Sequence, residues 1–145
     1  MAQKLAAGLV NSTGEISHRT RNLMVAEDAA AGLAAVISSI DSVRAATKVN
    51  PKSHALISGI GICAPGPLDP HTGVVVNPPN LTCWRNFPLA SEISAVYQVP
   101  VRLDRDGNAA ALAKALWGAG GTPGWLEIWS VDFLLDSAFA STGLL

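Results

Sequence analysis

Asp104-Arg105-Asp106-Gly107-Asn108 places two carboxylates, a guanidinium and a carboxamide within five consecutive residues. Ahead of them, residues 99–103 (Val-Pro-Val-Arg-Leu) form a short, mostly apolar run with Pro100 near its start, the pattern of a buried strand. Behind them, an alanine- and leucine-rich stretch ends at Gly118, the pattern of a helix with a glycine stop. A carboxylate that ends a strand and opens a helix stands where α/β folds place their chemistry. Asp106 is therefore the candidate for that chemistry. It has a plain structural role as well, because an aspartate there can cap the helix by accepting N–H bonds of the first turn.

The elements that must position Asp106 follow from patterning. Lys4–Asn11 and Glu15–Arg21 read as strands joined by the turn cluster Asn11-Ser-Thr-Gly14, a hairpin with one wet face carrying His18, Arg19 and Arg21. Glu27–Thr47 reads as the longest helix. Its stripe is Leu33, Val36, Ile37, Ile40 and Val43, with acidic residues near its start and Arg44 and Lys48 near its end. His54 opens a strand whose run Ala55–Cys63 predicts a central strand covered on both faces. The stiff turn Ala64-Pro65-Gly66-Pro67 follows, then a small hairpin over Leu68–Asn77 with His71 in its turn. After an irregular loop, Pro88 suits the first turn of a helix with Leu89, Ile93 and Val96 buried. This order predicts an α/β domain with one mixed sheet.

Composition narrows the function classes. The chain has 145 residues, a formal net charge of −1 and 14% charged residues, so it is globular, and nucleic acid or an anionic membrane is not an expected partner. The apolar runs are broken well short of a membrane span, and a cytoplasmic location is the expectation. Cys63 and Cys83 show no paired spacing and read as two ordinary thiols; no histidine pair shows metal-ligand spacing.

A linked set of segments carries a family resemblance: Gly59-Ile-Gly-Ile-Cys-Ala-Pro-Gly-Pro-Leu-Asp-Pro70, Thr72-Gly-Val-Val-Val-Asn77, Pro79-Asn-Leu81, Trp84-Arg85, Val99-Pro-Val101, Asp106-Gly-Asn-Ala-Ala-Ala-Leu112 and Trp117-Gly-Ala-Gly120. In order and spacing they resemble the ROK family of bacterial sugar kinases and sugar-sensing repressors. The resemblance implies the N-terminal lobe of a mixed-sheet, actin-like ATPase (ribonuclease-H-like) fold, incomplete here. It implies that Asp106 is the catalytic base accepting the proton of a sugar hydroxyl, and that Pro79 and Asn80 line a sugar pocket. Gly66 would let the sugar ring approach the backbone. Complete relatives use ATP and magnesium on a hexose or N-acetylated hexose.

This chain departs from the family pattern in three places. Met1-Ala-Gln stands directly before Lys4, where relatives carry an Asp-x-Gly-Gly-Thr phosphate loop. Arg105 stands where relatives have an asparagine that bonds the sugar. No second phosphate loop, Glu-x-Gly-His motif or cysteine-rich zinc site follows Gly120. The expectation is a family lobe over residues 1–120 and a divergent tail over 121–145. This chain alone is then an inactive kinase lobe needing no cofactor. The alternative is a sugar-responsive module of the repressor branch. The break after Gly120 is abrupt, as a shifted reading frame would make it, so the tail's apolar residues are expected to be poorly buried. Trp125–Leu135 reads as a strand or a short helix.

Overall fold

The computed structural model describes residues 3–10, 14–24, 27–47, 57–117, 125–132 and 134–141. Strands β1 (Gln3–Val10) and β2 (Ile16–Met24) form the antiparallel hairpin. The register shifts between Ala7 and Leu9, where Gly8 faces two residues of β2 and His18 takes φ +50°. Such a bulge increases the local twist. His18, Arg19 and Arg21 are exposed, as their composition implied.

Helix α1 (Ala29–Thr47) starts where the Asp28 carboxylate accepts the Ala31 N–H at 2.8 Å, an N-cap bond. Val36, Ser39 and Val43 are buried, with Leu33, Ile37 and Ile40 half-buried beside them, so the stripe is the one the spacing implied. Ser39 is satisfied by the Asn22 carboxamide at 3.3 Å. Contrary to the sequence reading, Ala29–Ala46 is long and apolar enough to cross a membrane by length and composition alone. In this fold it lies on the β1–β2 hairpin.

Strands β3 (Ile60–Ala64) and β6 (Val101–Arg105) pair in parallel. A parallel pair needs a crossover, because the chain must return to the end where it began. Here the crossover is the hairpin β4 (Leu68–Asp69) and β5 (Val74–Val75), a loop over 76–88, and α2 (Leu89–Tyr97). Asp69 shapes the hairpin turn: its carboxylate accepts the His71 N–H at 2.9 Å and its carbonyl accepts the Gly73 N–H. Val75 and Phe87 exchange two backbone bonds of 2.8 Å, folding the loop back on β5. Val75, Leu89, Ile93 and Leu103 are fully buried and form the core of this part, with Trp84 beside them.

Two aromatic residues tie α1 to the crossover. The Trp84 indole stacks on Phe87 at 5.6 Å and donates to the Ala29 carbonyl at 3.3 Å. It lies so close to α1 that a Cβ at Gly32 would come within 3.0 Å of the indole nitrogen. The Tyr97 hydroxyl sits 3.1 Å from the Ile37 carbonyl and 2.9 Å from an Asp41 carboxylate oxygen, and Arg44 lies over its ring.

Three expectations are corrected. Among the described residues, β1–β2 and β3–β6 are separate two-stranded sheets rather than one mixed sheet. They are joined by side-chain packing instead of a ladder, Leu5 and Met24 meeting the core that holds Ile60, Ile62 and Leu103. Strand β3 is not covered on both faces: Gly59, Gly61 and Cys63 are exposed while Ile60, Ile62 and Ala64 pack inward. The run looks continuous because glycine and cysteine count as apolar, yet it alternates by size. Val96 is 50% exposed, because α2 buries Leu89 and Ile93 and the same four-residue step leads to Tyr97.

The chain continues into α3 (Asp106–Trp117). Beyond it, β7 (Trp125–Asp132) and β8 (Leu134–Ser141) pair as an antiparallel hairpin against α3, which decides between strand and helix for this stretch. The expectations for His54 and for burial of the tail's apolar side chains lie outside the described residues.

Tyr97 is the only tyrosine in the chain, so tyrosinate absorbance reads it alone. Burial first, then the hydrogen bond and charge of Asp41, push its phenol up to about 12, with Arg44 opposing. The folded value lies above the unfolded one. Its contribution to stability is therefore fully present below the unfolded value of about 10 and is lost as pH rises through the folded value. The alkaline titration should centre near 12 in the native chain, and Asp41→Asn should move it down toward the ordinary value.

Candidate functional site

The parallel register sets the site. Cys63 pairs with Asp104 and Ala64 with Arg105, so the carboxyl ends of β3 and β6 share one edge. From that edge β3 runs into the Pro65-Gly66-Pro67 turn and β6 runs straight into α3. The helix opens at Asp106 itself.

Two aspartates flank the start of α3. Asp104 Oδ1 accepts the Arg105 N–H at 2.7 Å and the Asn108 carboxamide at 2.9 Å. Asp106 Oδ1 accepts only one bond of this set, the Gly107 N–H at 2.8 Å. A carboxylate has about four acceptor sites, so Asp106, which is exposed, keeps capacity for a ligand hydroxyl.

Gly66 and Arg105 meet directly. A Cβ built on Gly66 would lie 2.9 Å from Arg105 Cδ and 3.6 Å from Cγ, so the arginine stem crosses the turn where only glycine leaves room. The Pro67 carbonyl accepts the Val76 and Asn77 N–H groups at 3.0 and 3.4 Å, which fixes the start of the next loop to the same turn. Pro79 and Asn80 stand exposed on that loop between the buried Pro78 and Leu81. Gly66 and Arg105 are thus brought together, with Asp106 following Arg105 in the chain, while Pro79 and Asn80 lie on the loop that the Pro67 carbonyl fixes at Asn77.

Three residues of the site were not singled out from sequence: Cys63, Asp104 and Asn108. The signal for Asp104 and Asn108 was their four-residue spacing across a helix start. Cys63 is legible only once the register places it opposite Asp104. Its thiol is raised above the ordinary value by desolvation first, then by the charges of Asp104 and Asp106. The edge is therefore electronegative at Asp104 and Asp106.

Among the described residues no group of three His, Cys, Asp or Glu side chains could hold a metal ion. Asp104 is already engaged by Arg105 and Asn108.

Fold and site together define an α/β lobe that presents a carboxylate and a Pro-Gly-Pro turn at the carboxyl edge of a parallel strand pair. The chain belongs to the ROK family, whose model matches residues 2–123. It is 33% identical over 114 residues to a xylose repressor of Caldicellulosiruptor bescii, covering 78% of this chain and 28% of the repressor. It is 39% identical over 69 residues to a glucokinase of Halalkalibacterium halodurans, covering 48% of this chain and 21% of the glucokinase. Among solved structures it resembles a ROK glucokinase of Streptomyces griseus in complex with glucose and AMPPNP, with a TM-score of 0.67 and 27% identity over 81% of this chain and 34% of that one. The chain thus spans about a third or less of these relatives. Its fold is that of ROK actin-like sugar kinases, over part of their length.

Cys63 offers a direct probe of this edge. Its raised thiol stays protonated at neutral pH, and only the thiolate is alkylated. Iodoacetamide should modify Cys63 more slowly than a free thiol at pH 7.5, read by peptide mass spectrometry. Asp104→Asn and Asp106→Asn should each speed the reaction, because each removes a charge that holds the thiol up.

Proposed function

We propose that this chain is the hexose-binding lobe of a ROK sugar kinase, with Asp106 as the base for the attacking hydroxyl. The single observation that carries the reading is the packing of the Arg105 stem on Gly66, which sets the residue before Asp106 against the turn at the carboxyl edge of β3 and β6. A hydroxyl held against the Asp106 carboxylate would lose its proton there as its oxygen attacks phosphorus. Gly66 would let the ring lie close to the turn backbone, with Asn80 and Pro79 on the far rim and Arg105 on the near one. The ligand is a hexose or N-acetylated hexose rather than a nucleic acid, since 10 basic residues stand against 11 acidic ones. ATP and magnesium belong to the complete relatives; by itself the chain binds sugar without phosphorylating it, because phosphoryl transfer rests on charge stabilisation around the phosphates. Two free thiols fit a reducing compartment, and we place the protein in the cytoplasm.

A second reading has its own support. The xylose repressor match covers more of this chain than the glucokinase match does, so the same lobe would serve as a sugar sensor in the repressor branch. The two readings share the hexose site and differ in whether the hydroxyl is ever transferred to.

Calorimetric titration with glucose and N-acetylated hexoses tests the shared site, and Asp106→Ala should weaken any sugar that binds by about tenfold or more, the scale of one lost charge-assisted hydrogen bond. With ATP and magnesium added, the chain alone should form no sugar phosphate. Product that vanishes in Asp106→Ala would overturn the inactivity of the isolated lobe and establish the kinase reading.

A further inference from the structure

We infer that the open face of the β1–β2 hairpin docks an acidic amphipathic helix of a partner protein. The inference stands apart from the hexose-lobe reading and uses none of its residues. Register and burial divide the hairpin into two faces. Leu5 and Met24 enter the core, and the Asn22 carboxamide reaches Ser39 of α1 at 3.3 Å, so one face lies under that helix. Side chains alternate along a strand, which sends Lys4, Val10, Arg19, Arg21 and Leu23 to the other face, all of them exposed. Ile16 pairs with Val10 and joins them. Between these side chains β1 contributes only Ala6 and Gly8. Ala6 stands opposite Arg21, and a Cβ on Gly8 would lie 3.0 Å from Ile16 Cγ2 and 3.7 Å from Arg19 Cγ.

Two features of this face point to one kind of occupant. It holds three of the six large apolar side chains exposed among the described residues, with Val10 58%, Ile16 49% and Leu23 70% exposed. A strand pair with apolar side chains on both faces needs a layer on each, and α1 supplies one. The face also holds three cations, Lys4, Arg19 and Arg21, and no carboxylate. Ile16 and Leu23 stand seven residues apart on β2, about 23 Å along a strand, which a helix of about fifteen residues spans. Such a helix would set apolar residues on Val10, Ile16 and Leu23 and acidic ones against the cations beside them. A second copy of this chain does not meet that description. Two hairpin faces would oppose like charges, and α1, α2 and α3 each carry a single acid, Asp41, Glu92 and Asp106. Asp41 already faces Arg44 at 3.8 Å.

The test is fluorescence anisotropy of the full chain with two labelled helical peptides of about fifteen residues. Both carry leucines along one face; one is flanked with glutamates and the other with lysines. The glutamate peptide should bind about tenfold more tightly, and the difference should shrink with added salt. Arg19→Glu combined with Arg21→Glu should invert the order. Leu23→Ser and Val10→Ser should each weaken the glutamate peptide about threefold, through lost apolar contact that salt does not screen. Both positions are exposed, and a native Tyr97 titration confirms that each variant is folded. Equal binding of the two peptides, or an order that survives the double charge reversal, overturns the inference. So does binding that ignores both serine variants, since any cationic patch would then serve. Two further arms cover other occupants. Binding to vesicles of equimolar phosphatidylcholine and phosphatidylglycerol that the charge reversal abolishes, without binding of the glutamate peptide, assigns the face to a bilayer. Self-association that Leu23→Ser abolishes, read by sedimentation, assigns it to a second copy. Either result overturns the helix.

Discussion

The parallel pairing of β3 with β6 is the constraint on which the rest depends. Five residue pairs, Ile60↔Val101 to Ala64↔Arg105, hold the two strands together. A parallel ladder forces everything between them into a single return path, and that path carries much of the buried core: Val75, Leu81, Trp84, Leu89 and Ile93 all lie within it. The same ladder decides where chemistry can occur. Two parallel strands end at one edge, so the turn after β3 and the helix after β6 are neighbours by geometry alone. Arg105 and Gly66, far apart in sequence, could be brought together by no local preference.

The hairpin half is attached to this ladder by contacts of another kind. Helix α1 lies on β1 and β2, and reaches the crossover through Trp84 and Tyr97. Both aromatic residues bury a large apolar body and satisfy a polar tip on an α1 carbonyl, which anchors them in direction as well as in depth. Gly32 is required for one of these anchors because the indole sits where a side chain would otherwise stand. The two halves thus share one apolar core without sharing a sheet.

Local patterning made much of this legible. The α1 stripe, the Asp69 turn and the opening of α3 beside Asp106 follow from spacing and turn chemistry over a few residues. What failed to show was everything set by neighbours distant in sequence. Sheet membership depends on which backbone edges meet, and no residue type in Lys4–Val10 or Ile60–Ala64 records that. The exposure of Gly59, Gly61 and Cys63 was hidden because their composition matches a strand buried on both faces. For the site, Asp106 came from the strand-to-helix pattern and Gly66 from the segments that resemble ROK relatives, whereas the pairing of Cys63 with Asp104 became visible only through the register.

That register also explains why the division of labour between the two aspartates matters. Both stand at the start of α3, where partial positive charge on unpaired N–H groups favours a carboxylate. Were Asp106 the residue that bonded Asn108, its oxygens would be committed to the helix. Asp104 takes that bond, from the last turn of the strand, four residues before Asn108. Asp106 is left with a single short-range bond to Gly107. A structural carboxylate and a candidate base therefore coexist two residues apart because each does one task. The arginine between them is attached to the turn opposite instead of to the helix, since its stem packs on Gly66. A strand alternates its side chains, so Asp104 and Asp106 would share one face of β6 if it ran on unbroken. Opening the helix at Asp106 breaks that alternation, and the chemistry of this edge depends on where the strand stops.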